Sequence, residues 1–254
     1  MSMNDGWREL RERLQALTDA GHRQRVFFRD DDAYDDRPEL CKLLGLFASR
    51  GVPLNLQVIP GLLSDAGADL LRVAAGAHPR LVGLNQHGWR HDNHETSGRK
   101  CEFGPSRCPA QQRQDIGAGR QRLEQAFGEH FFPVFTPPWN RCTATTHQIL
   151  LSLGFGAISD LGRERDPAVN GIPRLPATLD IIDWKMTRDL HPVGLLLDQL
   201  VEQTGTGRTI GILLHHQVMS QTAFDFTSRL IDEMLDAGGI EFHLFQTLLK
   251  IDHE

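Results

Sequence analysis

Arg25-Val26-Phe27-Phe28-Arg29 runs directly into Asp30-Asp31-Asp32, and this junction decides how the chain reads. The first five residues are rich enough in β-branched and aromatic side chains for a short strand, and the acids mark its end. Working outward, the same rhythm of helix and short apolar run recurs on both sides. Upstream, Asn4 to Ala20 places Trp7, Leu10, Leu14 and Leu17 on one helical face and stops at Gly21. Downstream, Pro38 can open a helix that runs to Gly51, and Pro53 to Ile59 reads as a strand closed by Pro60-Gly61.

The alternation continues to the end of the chain. Helices are expected over 65–77, 109–127, 143–153, 192–203 and 222–236. Extended runs are expected over 81–85, 132–135, 156–159, 172–175, 178–182, 209–215 and 240–244. About eight strands alternating with helices is the pattern of parallel βαβ units, in a barrel or a doubly wound sheet. No linker or repeat divides the sequence, so residues 1–254 read as one domain.

Composition narrows the class of function. Of 254 residues, 40% are hydrophobic and 24% charged, which is ordinary globular usage. A net charge of -6 with no polybasic block gives no footprint for nucleic acid or an anionic membrane. No apolar run approaches the ~20 residues of a membrane span, and the N-terminal residues lack a signal-like apolar core, so the chain is expected to be cytoplasmic. Cys41, Cys101, Cys108 and Cys142 form no CxxC pair and read as reduced thiols.

In parallel α/β folds chemistry sits at the carboxyl ends of strands. Following each expected strand gives Asp30-Asp31-Asp32, then His87 and His91, then Pro137-Pro138-Trp139-Asn140, then Asp180 and Asp183-Trp184, then His215-His216. Adjacent carboxylates on a strand point apart unless the chain turns, so one can face a metal while its neighbour faces the water beside it. Alone, the three acids read more readily as a solvated turn continuing through Asp35 and Asp36. His87 and His91 are four apart, which on a helical turn would bring both rings to one ion; a polar loop with Asp92, Asn93 and His94 is the other reading. Two His and one Asp around an open position form a ligand set for hydrolytic zinc. Trp139 supplies the first backbone N–H after two prolines, the kind of aimed donor an oxyanion needs. A histidine leaving a buried strand, as at His215, can be a general acid, and Asp183 could orient it.

Taken together these motifs resemble those of the polysaccharide deacetylase superfamily, carbohydrate esterase family 4, in the family's order from Phe28 to His216. The family's T-F-D-D-G resembles Phe28-Arg29-Asp30-Asp31-Asp32, which implies Asp30 as base and Asp31 as metal ligand. H-[ST]-x-x-H resembles His87-Gly88-Trp89-Arg90-His91, which implies both histidines as ligands. R-x-P-[YF] resembles Thr136-Pro137-Pro138-Trp139, D-x-x-D-W is met by Asp180-Ile181-Ile182-Asp183-Trp184, and L-x-H is met by Leu213-Leu214-His215. Three positions depart from the pattern: Asp32 stands for Gly, Gly88 for Ser/Thr, and Thr136 for the Arg that holds the catalytic Asp. Arg29, Arg90 and Arg141 are the candidates to replace that Arg, and His216 fits the last motif as well as His215 does.

The resemblance implies a distorted (β/α) barrel of about seven or eight strands. It implies zinc or another divalent metal on Asp31, His87 and His91, with Asp30 as base, Trp139 N–H as oxyanion donor, and His215 as acid oriented by Asp183. The implied reaction is hydrolysis of a C–N amide bond, N-deacetylation of an amino sugar or glycoconjugate precursor, on a carbohydrate or small-molecule substrate. A cyclic amide or imide hydrolase using the same site, and an inactive carbohydrate-binding relative, are the alternatives.

Overall fold

Strands β1 (Gln24–Ala33), β2 (Leu54–Val58), β3 (Val82–His87), β4 (Phe131–Thr136) and β5 (Ala157–Ile158) lie side by side in parallel. This computed structural model describes residues 3–162 and 168–251. On the other side of β1 come β9 (Ile210–Leu214) and then β8 (Leu179–Asp180), giving the order β5-β4-β3-β2-β1-β9-β8. β10 (Ile240–Phe242) pairs with the start of β1, at residues 24–26. A small antiparallel hairpin, β6 (Ala168–Val169) with β7 (Ile172–Pro173), stands apart from the main sheet.

The sheet curls until its edges meet. Leu175 N–H donates to Ile158 O (2.9 Å), Ala177 N–H to Asp160 O (2.8 Å) and Thr178 N–H to Gly211 O (2.7 Å). The run leading into β8 therefore bridges β5 to β9, which makes the distorted barrel that the resemblance implies. Gly211 is required at this seam, because a Cβ there would lie 2.3 Å from Phe27 Cζ and 2.7 Å from Pro176 O. Every residue of β2 and β9 is buried, as expected of strands covered on both faces by crossover segments.

Helices α1 (Met3–Asp19), α2 (Pro38–Ala48), α3 (Asp65–Ala77), α4 (Pro109–Phe127), α5 (Ala144–Ser152), α6 (Val193–Gln203), α7 (Gln221–Ala237) and α8 (Phe245–Ile251) cover the outside. Their apolar faces follow the helical period. Trp7, Leu10 and Leu14 of α1 are buried in the cluster that holds Phe226 and Leu230 of α7, with the Trp7 and Phe226 rings 5.6 Å apart. The sequence pattern misses α8, whose seven residues are too few for a helical period to register. Among the described residues no helix is long and apolar enough to cross a membrane.

One local difference has chemical weight. The strand expected to stop at Arg29 continues through all three acids to Ala33. Asp30 pairs with Leu56 and Ala33 with Val58, so β1 carries one extra residue there, a β-bulge. Asp32 sits in that bulge with φ of 68°.

Candidate metal and catalytic site

Strand alternation sorts the first two acids. Arg29 and Asp31 are two apart and share a face, whereas Asp30 points the other way. Arg29 makes a fork to Asp31, Nε to Oδ1 and Nη2 to Oδ2, both at 2.8 Å, with the guanidinium fully buried. Its remaining donors reach Asn140 Oδ1 (2.6 Å), Ser159 Oγ (3.0 Å) and Asp160 O (3.1 Å). Burial pushes the Asp31 carboxyl up, but Arg29, with His87 and His215 nearby, outweighs it and holds the group below its ordinary range. Asp30 faces His216 instead, accepting from its backbone N–H (2.8 Å) and from Nδ1 (2.6 Å), with both residues buried. Burial opposes a charge on His216, yet the Asp30 carboxylate holds its pKa above the usual value.

The left-handed backbone of Asp32 breaks the alternation and swings its carboxylate toward β3. Asp32 Oδ1 lies 3.3 Å from His87 Nε2 and 3.7 Å from His91 Nε2. Asp32, His87 and His91 each offer a ligand atom, all within 4.8 Å of one another, the only such group among the described residues. The geometry groups Asp32, rather than the expected Asp31, with the two histidines. Asp31 is bound in the Arg29 fork, and the bulge delivers Asp32. The expectation of Asp30 as base meets the same difficulty, since both its oxygens are turned away to His216.

The donors suit a divalent cation. Asp32 Oδ1 is buried without a hydrogen-bond partner, a costly state that a cation would relieve. Thr136 O accepts from His87 Nδ1 (3.0 Å), which leaves Nε2 facing Asp32; burial opposes a charge on this ring, but the Asp31 and Asp32 carboxylates hold its pKa above the usual value. Burial and the neighbouring His87 push His91 down to about 4, so its imidazole is neutral at physiological pH, as a ligand must be. Thr136, the residue in place of the motif's Arg, thus serves the site through its carbonyl, while its hydroxyl donates to Gln57 (2.7 Å).

His87 and His91 converge by a route other than a helical turn. β3 ends at His87, and Gly88 and His91 both take positive φ, 55° and 62°, so the loop doubles back with the two rings 5.2 Å apart. Glu102, fully buried, accepts from the N–H groups of Trp89 (3.0 Å), Arg90 (2.8 Å) and Asp92 (3.4 Å) inside this loop. A Cβ on Gly88 would lie 2.2 Å from Glu102 Oε2, so the Ser/Thr of the motif has no room here. No local signal marks Glu102 in the sequence.

His215 Nε2 stands 3.8 Å from Asp31 Oδ2, and His215 Nδ1 is buried without a partner. The expectation that Asp183 orients this ring is not met. Asp183 Oδ1 accepts from the N–H groups of Lys185 and Met186 (both 3.1 Å), and Oδ2 lies 3.8 Å from His191 Nδ1. Asp180 is the carboxylate on His215's side: its Oδ2 accepts the Trp184 indole N–H (2.9 Å), and that indole packs edge-on against His215 at 4.7 Å. Trp139 and Asn140 take consecutive left-handed conformations (φ 54° and 57°), and the Trp139 ring lies 4.3 Å from His91.

No protein-family model matches this chain, and no curated protein matches it. Solved structures do. A candidate polysaccharide deacetylase from Mycobacterium smegmatis is 17% identical, with a TM-score of 0.71 over 91% of this chain and 90% of that one. The chain has the polysaccharide deacetylase fold. A family 4 acetyl xylan esterase from Clostridium thermocellum, solved with a cobalt ion, shares that fold at 16% identity and TM-score 0.61, over 91% of this chain and 92% of its own. A pseudoenzyme of carbohydrate esterase family 4 from Bacillus anthracis shares the deacetylase fold at 14% identity and TM-score 0.60, over 89% of this chain and 66% of its own.

Proposed function

We propose that this protein is a metal-dependent amide hydrolase that removes an N-acetyl group from an amino sugar or a glycoconjugate precursor. The observation that carries the reading is the convergence of Asp32, His87 and His91, with an unpartnered Asp32 oxygen, beside an Arg29-held Asp31 that faces His215. The cation would be held by Asp32, His87 and His91, and zinc suits that donor set. When bound, it supplies Lewis acidity to the water and the acyl oxygen.

The protein's own groups account for the proton transfers. Asp31, kept anionic by Arg29, accepts a proton from the attacking water as its oxygen bonds to the acyl carbon. The Trp139 N–H is assigned to the oxyanion, since the Trp139 ring packs against His91. His215, 3.8 Å from Asp31, donates a proton to the amine nitrogen as the C–N bond breaks. Asp31 and His215 thus flank one position, where acyl carbon and leaving nitrogen would sit. Asp30 and His216 are assigned to supporting this strand end from behind, since each consumes the other's polar atoms. The complete ligand and proton-transfer set favours turnover over an inactive carbohydrate-binding role.

Turnover of a panel of N-acetylated sugars, nucleotide-linked amino sugars and cyclic amides, before and after chelation and with cobalt or zinc restored, tests the reading. Metal-restored release of acetate supports it. Release from cyclic amides alone would move the substrate class, and no turnover with metal bound would favour the inactive alternative.

A further inference from the structure

We propose that Glu102 is a positioning residue for the metal centre, holding the His87–His91 loop in its ligating shape. This rests on the metal reading above. The loop between the two histidines turns through two left-handed residues, Gly88 and His91, and a non-glycine residue holds such a conformation only when its surroundings impose it. Glu102 supplies that constraint. Its two oxygens collect three donors of this loop, the N–H groups of Trp89, Arg90 and Asp92. The loop's other polar groups are fixed as well: Gly88 N–H donates to Thr136 O (3.0 Å), and Gly88 O accepts from Gln86 Nε2 (2.9 Å). Trp89 O accepts from Gly61 N–H (2.7 Å).

Glu102 is itself held in place. Cys101 N–H before it donates to Asn93 Oδ1 (2.9 Å), and Phe103 after it bridges to Cys142 and packs edge-on against Phe135 at 5.4 Å. A carboxylate suits the task because both oxygens only accept, whereas an amide would turn two N–H bonds toward at least one of these donors. Glu102→Gln therefore conserves shape while opposing one loop N–H. His91 lies one residue beyond Arg90 and one before Asp92, so loss of either contact reorients its ring.

The test compares wild type with Glu102→Gln and Glu102→Asp. It uses cobalt(II) titration with a competing chelator, the visible spectrum of the cobalt(II) form, and far-UV circular dichroism. The expected result is a folded Glu102→Gln protein with cobalt affinity about 10- to 100-fold weaker and an altered ligand-field spectrum, a size usual for residues that orient metal ligands. Glu102→Asp should fall between the two. Hydrogen exchange on the metal-free wild type gives a reading that needs no variant: the Trp89 and Arg90 amides should be protected although they lie in a loop. Unchanged cobalt affinity and spectrum in Glu102→Gln, or rapid exchange of both amides, overturns the proposal. Failure of the wild type itself to bind cobalt overturns the metal reading and this inference with it.

Discussion

Replacing Asp30, Asp31 and Asp32 one at a time should produce three different defects, because the three carboxylates occupy three different environments. Asp32→Ala leaves two imidazoles and should lose the metal. Asp31→Asn leaves the Asp32, His87 and His91 set intact, so metal should stay while turnover falls by about 10²–10⁴, the usual worth of a general base. Asp30→Ala should spare the metal and damage the fold. It removes a fully buried carboxylate that accepts two hydrogen bonds from a buried His216. Breaking a buried pair costs about 3–5 kcal/mol when the partner must stay charged, but an imidazole can shed its proton, so the low end applies. At about 3 kcal/mol the melting temperature should drop by roughly 6–12 °C for a chain of this size. Metal content by atomic absorption, acetate release and thermal melting on the same three preparations separate the roles. Metal loss in Asp31→Asn with retention in Asp32→Ala would refute the assignment of ligand and base. Loss of turnover in Asp30→Ala at unchanged melting temperature would make Asp30 the base instead.

Arg29→Met removes the cation that keeps Asp31 low, so the Asp31 carboxyl should titrate at higher pH. Because the base acts as a carboxylate, the acid limb of the rate profile should move to higher pH; an unmoved limb would exclude Asp31. The depressed Asp31 pKa also means stability that is complete above the unfolded value of ~3.9 and lost as pH falls through the lower folded value, which acid melts of wild type against Asp31→Asn would show. His215→Ala should cut turnover by roughly 10²–10⁴ with metal still bound; near-normal turnover would remove His215 from the mechanism. His94→Ala should leave metal binding intact while His91→Ala abolishes tight binding, since His94 is exposed and His91 faces Asp32; equal loss in both would overturn the loop assignment.

The residues alone, read in order, give the βαβ alternation, and the motif resemblance adds the barrel and the strand ends to inspect. Alternating apolar runs and helical periods are local signals, and βαβ order dictates that residues following successive strands gather at one end. That is why His87, His91, Trp139 and His215 could be picked out together from scattered positions. The phase at the end of β1 is set by the folded sheet. A strand pattern assigns side chains to alternate faces, and one inserted residue reverses the assignment beyond it. Nothing in Asp30-Asp31-Asp32 announces a bulge, because three identical side chains carry no phase. The bulge turns Asp32 toward His87, frees Asp31 for Arg29, and leaves Asp30 to His216. The same limit applies to Arg29, one of three arginines the sequence could offer, and to Asp180, which holds the Trp184 indole that packs on His215 while Asp183 binds its own loop. Glu102 was invisible for the same reason: it lies outside the motif, and its meaning comes from three backbone N–H groups that only the folded loop assembles.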